Sequence, residues 1–168
     1  MIRWESGGRA DGAPHRDPSD PGGDTRYGIA QRWHPRLKVL ELTSAQAIDV
    51  YRLEYWLAGK CDRMPPPVAL VHFDALVNGI PDPPGRKGYS AGHVLQEALG
   101  VKADGAVGPR TLAALERATH PLGPMSPTEL AFLLVRARAG AVVRYGDPAH
   151  RAGIVDRCLD LVAFVATL

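Results

Sequence analysis

Glu5 stands in WESGG, and the segment DPSDPGGDTRYGIAQRW, residues 17–33, gathers three aspartates, paired glycines and a threonine before turning apolar. Two carboxyl groups on opposite sides of a sugar linkage are the minimal equipment for glycoside hydrolysis. One donates a proton to the leaving oxygen; the other acts on water or on the developing cation. Glu5 suits the acid. Gly7 and Gly8 let a bulky sugar chain approach the backbone, and partial burial would raise the pKa of Glu5 toward a proton-donating range. Asp20 suits the second carboxylate, with Asp24 as the alternative, and the Thr25 hydroxyl can orient a water. An inverting hydrolase keeps its carboxyls roughly 6.5–9.5 Å apart to hold that water.

Plainer readings stand beside these. An exposed glutamate is the ordinary state of that residue, and Asp20-Pro21-Gly22-Gly23 is a turn sequence whose aspartate commonly bonds its own backbone. Asp17, Asp20 and Asp24 lack the D-x-D-x-DG pattern and closing glutamate of a calcium loop, and GG-x-T lacks the GK[ST] ending of a phosphate cradle. Histidines at 15, 34, 72, 93, 120 and 150 form no i,i+4 pair, so neither a metal centre nor a cofactor is expected. His72, inside VALVHFDALVNG, reads as a core residue, and Ser90 and Ser126 read as helix caps. Trp4, Tyr27, Trp33 and Trp56 could stack on sugar rings, although Trp56 is better explained as core.

The elements that must position these groups are mostly helical. Residues 1–8 read as the end of a helix stopping at Gly7-Gly8, and 9–24 as an irregular polar loop. YGIAQRW fits a short strand or the start of a helix. Thr43 or Ser44 should cap a helix through TSAQAIDVYRLEYWLAG, with Ile48, Tyr51, Leu53, Tyr55 and Trp56 as its apolar surface and Gly59 as its stop. After Pro65-Pro66-Pro67 a strongly buried helix should end at Gly79. Val94, Leu95, Ala98 and Leu99 form one stripe of the next. A DG turn precedes a helix opening at Pro109, a capping box of Ser126 and Glu129 opens another, and residues 150–167 make a last apolar helix.

A chain of 168 residues with 45% hydrophobic composition can bury a real core. The proline-rich connector at 81–88 is the one plausible internal boundary. Residues 1–80 and 81–168 are nonetheless expected to pack as one unit, because neither half has much to bury alone. The net charge of +2 comes with no Lys/Arg run of the kind a nucleic-acid groove needs. Cys61 and Cys158 lie far apart and outside any metal spacing, which favours buried, reduced thiols. MIRWESGG has no apolar segment of the signal-peptide type, and GIVDRCLDLVAFVATL is too short and too charged to span a bilayer. Synthesis in the cytoplasm without a signal peptide is therefore expected; the sequence leaves the oligomeric state open, with a monomer as the default expectation.

Taken together, Glu-then-Gly-Gly, DPGGDTRYGI, VYRLEYWLAGKCDRMP, FDALVNG and VLQEALGVKADGAVGPRTLAAL, in this order over about residues 3–145, resemble the glycoside hydrolase 108 family of N-acetylmuramidases with its C-terminal predicted peptidoglycan-binding region. The resemblance implies a mainly α, lysozyme-like helical domain with a short polar loop or β-hairpin near the N-terminus. It divides the chain into a catalytic region, 1–80, and a peptidoglycan-binding-like region, 81–168. It places the proton donor on Glu5 and, by analogy with related phage-type lysozymes, the second carboxylate and the water-holding hydroxyl on Asp20 and Thr25. Tyr27 and Asn78 fall at substrate-binding positions. The implied activity is endolysin-like hydrolysis of the β-1,4 bond between N-acetylmuramic acid and N-acetylglucosamine, with periplasmic peptidoglycan reached after release or export. Ser6 stands between the glutamate and the glycines, and Arg9 replaces the family's aromatic. These departures motivate the alternative of a non-catalytic wall-binding or phage-particle protein that retains the fold.

Overall fold

The computed structural model describes residues 23–168. The expectations for Glu5, Asp17 and Asp20, and for a helix end over residues 1–8, lie outside the described residues. The chain forms two compact units, one through Glu54 and one from Tyr55 to Leu168.

In the first unit, strands β1 (Thr25–Arg26) and β2 (Ile29–Ala30) pair antiparallel, Thr25 with Ala30 and Arg26 with Ile29. Tyr27 and Gly28 connect them with φ of 53° and 77°. Two consecutive positive φ values make a turn whose twist matches that of the flanking strands. Glycine occupies the second position without strain. The chain then loops to a 3₁₀ turn at Val39–Glu41 and to α1, Ser44–Tyr51. Thr43 caps α1 through a reciprocal box: its hydroxyl accepts from the Gln46 N–H, and the Gln46 side chain accepts from the Thr43 N–H at 2.8 Å.

The regular helix expected to continue to Gly59 does not form. From Arg52 to Leu57 the backbone is π-helical. The expected apolar stripe does not form: Tyr51 is buried, but Ile48, before this turn, and Leu53, within it, are more than half exposed. The extra residue per turn rotates every following side chain away from the register that a 3.6-residue period assigns.

The second unit is helical. A 3₁₀ turn, Cys61–Arg63, precedes α2 (Pro66–Asn78), α3 (Ala91–Ala98), α4 (Pro109–Thr119), α5 (Pro127–Tyr145) and α6 (Pro148–Val165). Four of these helices, α2, α4, α5 and α6, open with proline in the first turn, where the missing N–H costs nothing. The Ser126–Glu129 capping box of α5 forms as the sequence implies. Helix α5 packs against α2, α3 and α6. Val68, Val71, Leu95, Leu130, Val142, Leu161 and Val165 are almost fully buried, each worth about 1.5–3 kcal/mol of apolar burial. Cys61 and Cys158 are free and buried. Burial, reinforced by the charge of Asp62, pushes the Cys61 thiol up to about 12.

Gly59 permits a close approach. A β-carbon there would lie 2.2 Å from Leu76 Cδ1 and 2.7 Å from the Tyr55 carbonyl oxygen. The fold class is thus mainly α, of the lysozyme-like type, with a short hairpin toward the N-terminus, as the sequence implied. Among the described residues no helix is long and apolar enough to cross a membrane.

Candidate functional site

The hairpin carries the described part of the acidic loop. Gly23 has φ of 70°, and the Thr25 hydroxyl donates to its carbonyl at 3.1 Å. The hydroxyl oxygen keeps lone pairs with which to accept from a water. Asp24 is half-buried, and its carbonyl accepts from the Gln31 N–H at 2.8 Å, closing the base of the hairpin.

Tyr27 is 8% exposed, and its ring lies under the Arg26 guanidinium at 5.3 Å. Its carbonyl accepts from the Tyr51 hydroxyl at 2.9 Å. A bulky residue at positive φ is strained and persists only where its surroundings hold it. Here burial and the Tyr51 bond supply that hold. Arg26 adds a second tie, donating to the Leu40 carbonyl at 2.7 Å.

Beyond β2, Gln31 organises the loop. Its amide nitrogen donates to the carbonyls of His34 and Leu37 at 3.0 and 2.7 Å, and its amide oxygen accepts from the Val39 N–H. The His34 ring bridges the Ala30 carbonyl at 3.1 Å and the Glu54 carboxylate at 2.9 Å. Sequence reasoning missed His34 and Glu54, because twenty residues separate them and neither sits in a motif. Among the aromatics, Trp33 is 72% exposed with the Arg32 guanidinium 5.3 Å from its ring, whereas Trp56 packs edge-on against Phe73.

In the second unit, Asn78 is the last residue of α2, and its side-chain nitrogen donates to the Asp74 carbonyl at 2.9 Å. Gly79 follows with φ of 70°. The side chain thus folds back over the last turn of its own helix. Asn78 thereby serves the helix terminus that its place before Gly79 suggested.

Beneath it, the fully buried carboxylate of Asp74 accepts from Arg138 of α5 and, at 2.6 Å, from Arg157 of α6. His72, 2% exposed, has a pKa lowered to about 4; burial dominates, opposed by a hydrogen bond to the Gly59 backbone. The core reading of His72 therefore holds. Ser90 occupies the cap position of α3, but its hydroxyl pairs with His93 Nδ1 at 2.9 Å instead of a backbone N–H.

The DGAVGPRT segment between α3 and α4 is held by Gln96, a buried residue on α3. Its amide nitrogen contacts Asp104 Oδ1 at 2.8 Å, the Ala106 carbonyl at 2.9 Å and Thr111 Oγ1 at 3.1 Å, and its oxygen accepts from the Gly105 N–H at 2.7 Å. The Gln96 bond, with the Ala106 N–H, holds the Asp104 carboxyl below its usual range. The apolar stripe read for α3 holds at Val94 and Leu95, but it did not reveal that Gln96 beside them is buried.

Comparison with known proteins bears on both units. Residues 3–79 match the family described as glycosyl hydrolase 108, and residues 90–141 match the one described as predicted peptidoglycan domain. The solved structure of Brucella abortus SagA is similar, with 28% identity over 93% of this chain and 87% of that chain and a TM-score of 0.70. No curated protein matches. The first match carries glycoside hydrolase chemistry, and the second carries peptidoglycan as the partner. The hairpin and its Thr25 lie inside the first matched region, and the loop held by Gln96 lies inside the second. Residues 3–79 thus fall in the glycosyl hydrolase 108 family, and residues 90–141 in the predicted peptidoglycan domain that follows.

Proposed function

We propose that this protein is an endolysin-like N-acetylmuramidase that hydrolyses the β-1,4 bond between N-acetylmuramic acid and N-acetylglucosamine. The reading is carried by one observation: the hydrolase match spans Glu5, the DPGGDT loop and the braced hairpin in a single stretch. Glu5 protonates the glycosidic oxygen. Asp20, or Asp24 in its place, acts on water or stabilises the oxocarbenium-like state. Thr25, whose donor is committed to Gly23, accepts from the water and holds it.

Tyr27 and Asn78 are assigned to substrate binding. Tyr27 acts through the turn it fixes, and Asn78 through its amide oxygen, which has no hydrogen bond among the described residues. The enzyme, made in the cytoplasm, works on periplasmic peptidoglycan after release or export.

The test is reducing-end analysis of purified sacculi. New N-acetylmuramic acid reducing ends from wild type, none from Glu5→Gln, and equal co-sedimentation of both with sacculi are expected. Undiminished cleavage by Glu5→Gln, or N-acetylglucosamine ends, sinks the assignment. Wall binding without any new reducing end by the wild type would leave only a binding protein.

A further inference from the structure

The loop that Gln96 anchors forms one wall of a groove of about 800 Å³; α4 forms the other. Lys102 projects from the loop into this groove, and Arg110 and Arg117 project from α4. All three are exposed, and neither arginine has an ion-pair partner among the described residues. Asp104 is the lone carboxylate lining the groove, and it is already engaged by the Gln96 amide and the Ala106 N–H. Three cations thus face one occupied carboxylate.

The groove is also stiff. Gly105 has φ of 79° and lies so close to α3 that a β-carbon on Gly92 would fall 2.0 Å from its carbonyl oxygen, while one on Gly105 itself would fall 2.4 Å from the His93 ring. No side chain larger than hydrogen fits at either position without moving the wall. A concave, positively charged site whose walls do not reorganise on binding recognises an anion with little ordering cost.

Peptidoglycan offers two chemistries. Its aminosugar strand presents hydroxyls and acetamides, uncharged wherever the lactyl carboxyl is amide-linked to peptide. Its stem peptides carry free carboxylates, which guanidinium groups bind with paired, charge-assisted hydrogen bonds. We propose that the groove between residues 101–108 and α4 binds the carboxylates of the peptidoglycan stem peptide, with Arg110 and Arg117 as its anion-binding groups. This inference rests on peptidoglycan being the substrate. It divides recognition of that polymer, with the glycan read in the hydrolase region and the peptide in the region that follows.

The test titrates the full chain calorimetrically with a soluble stem tetrapeptide, with the same peptide after amidation of its carboxylates, with peptide-free glycan strands and with inorganic phosphate. Wild type should bind the free-acid peptide, and tighter at low salt. Amidation, or the double change Arg110→Gln and Arg117→Gln, should weaken binding at least about tenfold, the effect of losing charge-assisted bonds. Arg110→Lys with Arg117→Lys should restore part of it. Equal affinity for the amidated peptide, unchanged affinity in the glutamine variant, or tighter binding of phosphate than of peptide would overturn the proposal. Reducing-end release from peptide-free strands, measured on the same variants, separates the two readings. Its absence in wild type counts against the muramidase assignment, whereas its retention in the glutamine variant alongside lost peptide affinity supports the groove as a separate site.

Discussion

The Tyr51 hydroxyl, at the end of α1, donates across 2.9 Å to the carbonyl of Tyr27, a residue held at φ of 53°. One buried bond therefore ties the helix to the strained position of the hairpin turn. Tyr51→Phe removes that donor and leaves a buried carbonyl unsatisfied. A loss of about 1–3 kcal/mol is expected, read as a lower urea midpoint. If the hairpin forms one wall of the active site, hydrolysis should fall more than stability at 25 °C accounts for.

Asp74 is the second sensitive position. Arg138 reaches it while leaving Nε and Nη2 without hydrogen-bond partners among the described residues, so this carboxylate is the main compensation for a buried guanidinium. Asp74→Asn keeps the volume but strands the charge. A destabilisation of about 3–5 kcal/mol is expected, measured by chemical denaturation. A loss below 1 kcal/mol would show that the charge is compensated elsewhere.

His72 makes stability depend on pH. Its folded pKa, about 4, lies below the ordinary 6.5, so the unfolded chain binds the proton more readily. Its neutral form is stabilising above the unfolded value, and that contribution drains away as pH falls through 6.5 toward 4. The linkage predicts a loss of about 2 kcal/mol between pH 7 and pH 5. His72→Leu should flatten that part of the profile in equilibrium urea unfolding. An equally steep profile in the variant would place the titration elsewhere.

Gly59→Ala should also destabilise. The new methyl meets Leu76, which can shift, and the Tyr55 carbonyl, which is backbone. The expected cost is about 1–3 kcal/mol. Adding Leu76→Ala should recover only the part due to the side-chain clash, so a double-mutant cycle separates the two contacts.

Much of the helical organisation was legible in local signals. Prolines at 109 and 127, the Ser126–Glu129 box and Gly79 mark boundaries because each acts on backbone groups a few residues away. The π-helical turn at Arg52–Leu57 was not legible, since YRLEYW holds no glycine or proline to mark a break in a helix. Of the candidate site, Thr25 and Asn78 could be named from their motifs, but not what their side chains bond. As an aromatic, Tyr27 suits stacking on a sugar; the structure buries its ring and makes it the strained half of a turn. Glu54 and His34 gave no signal at all.

The sequence by itself determined the class of the chain, most of its helix boundaries and the family its first half resembles, because periodicity, caps and motif strings act over a few residues. Only the tertiary structure decided which polar groups are buried together. Asp74 meets partners 64 and 83 residues away, and Gln96 turns inward to hold a loop ten residues on. Such pairings are fixed by which helix faces meet across the core. That choice depends on the packing of all the helices at once, and no local pattern records it.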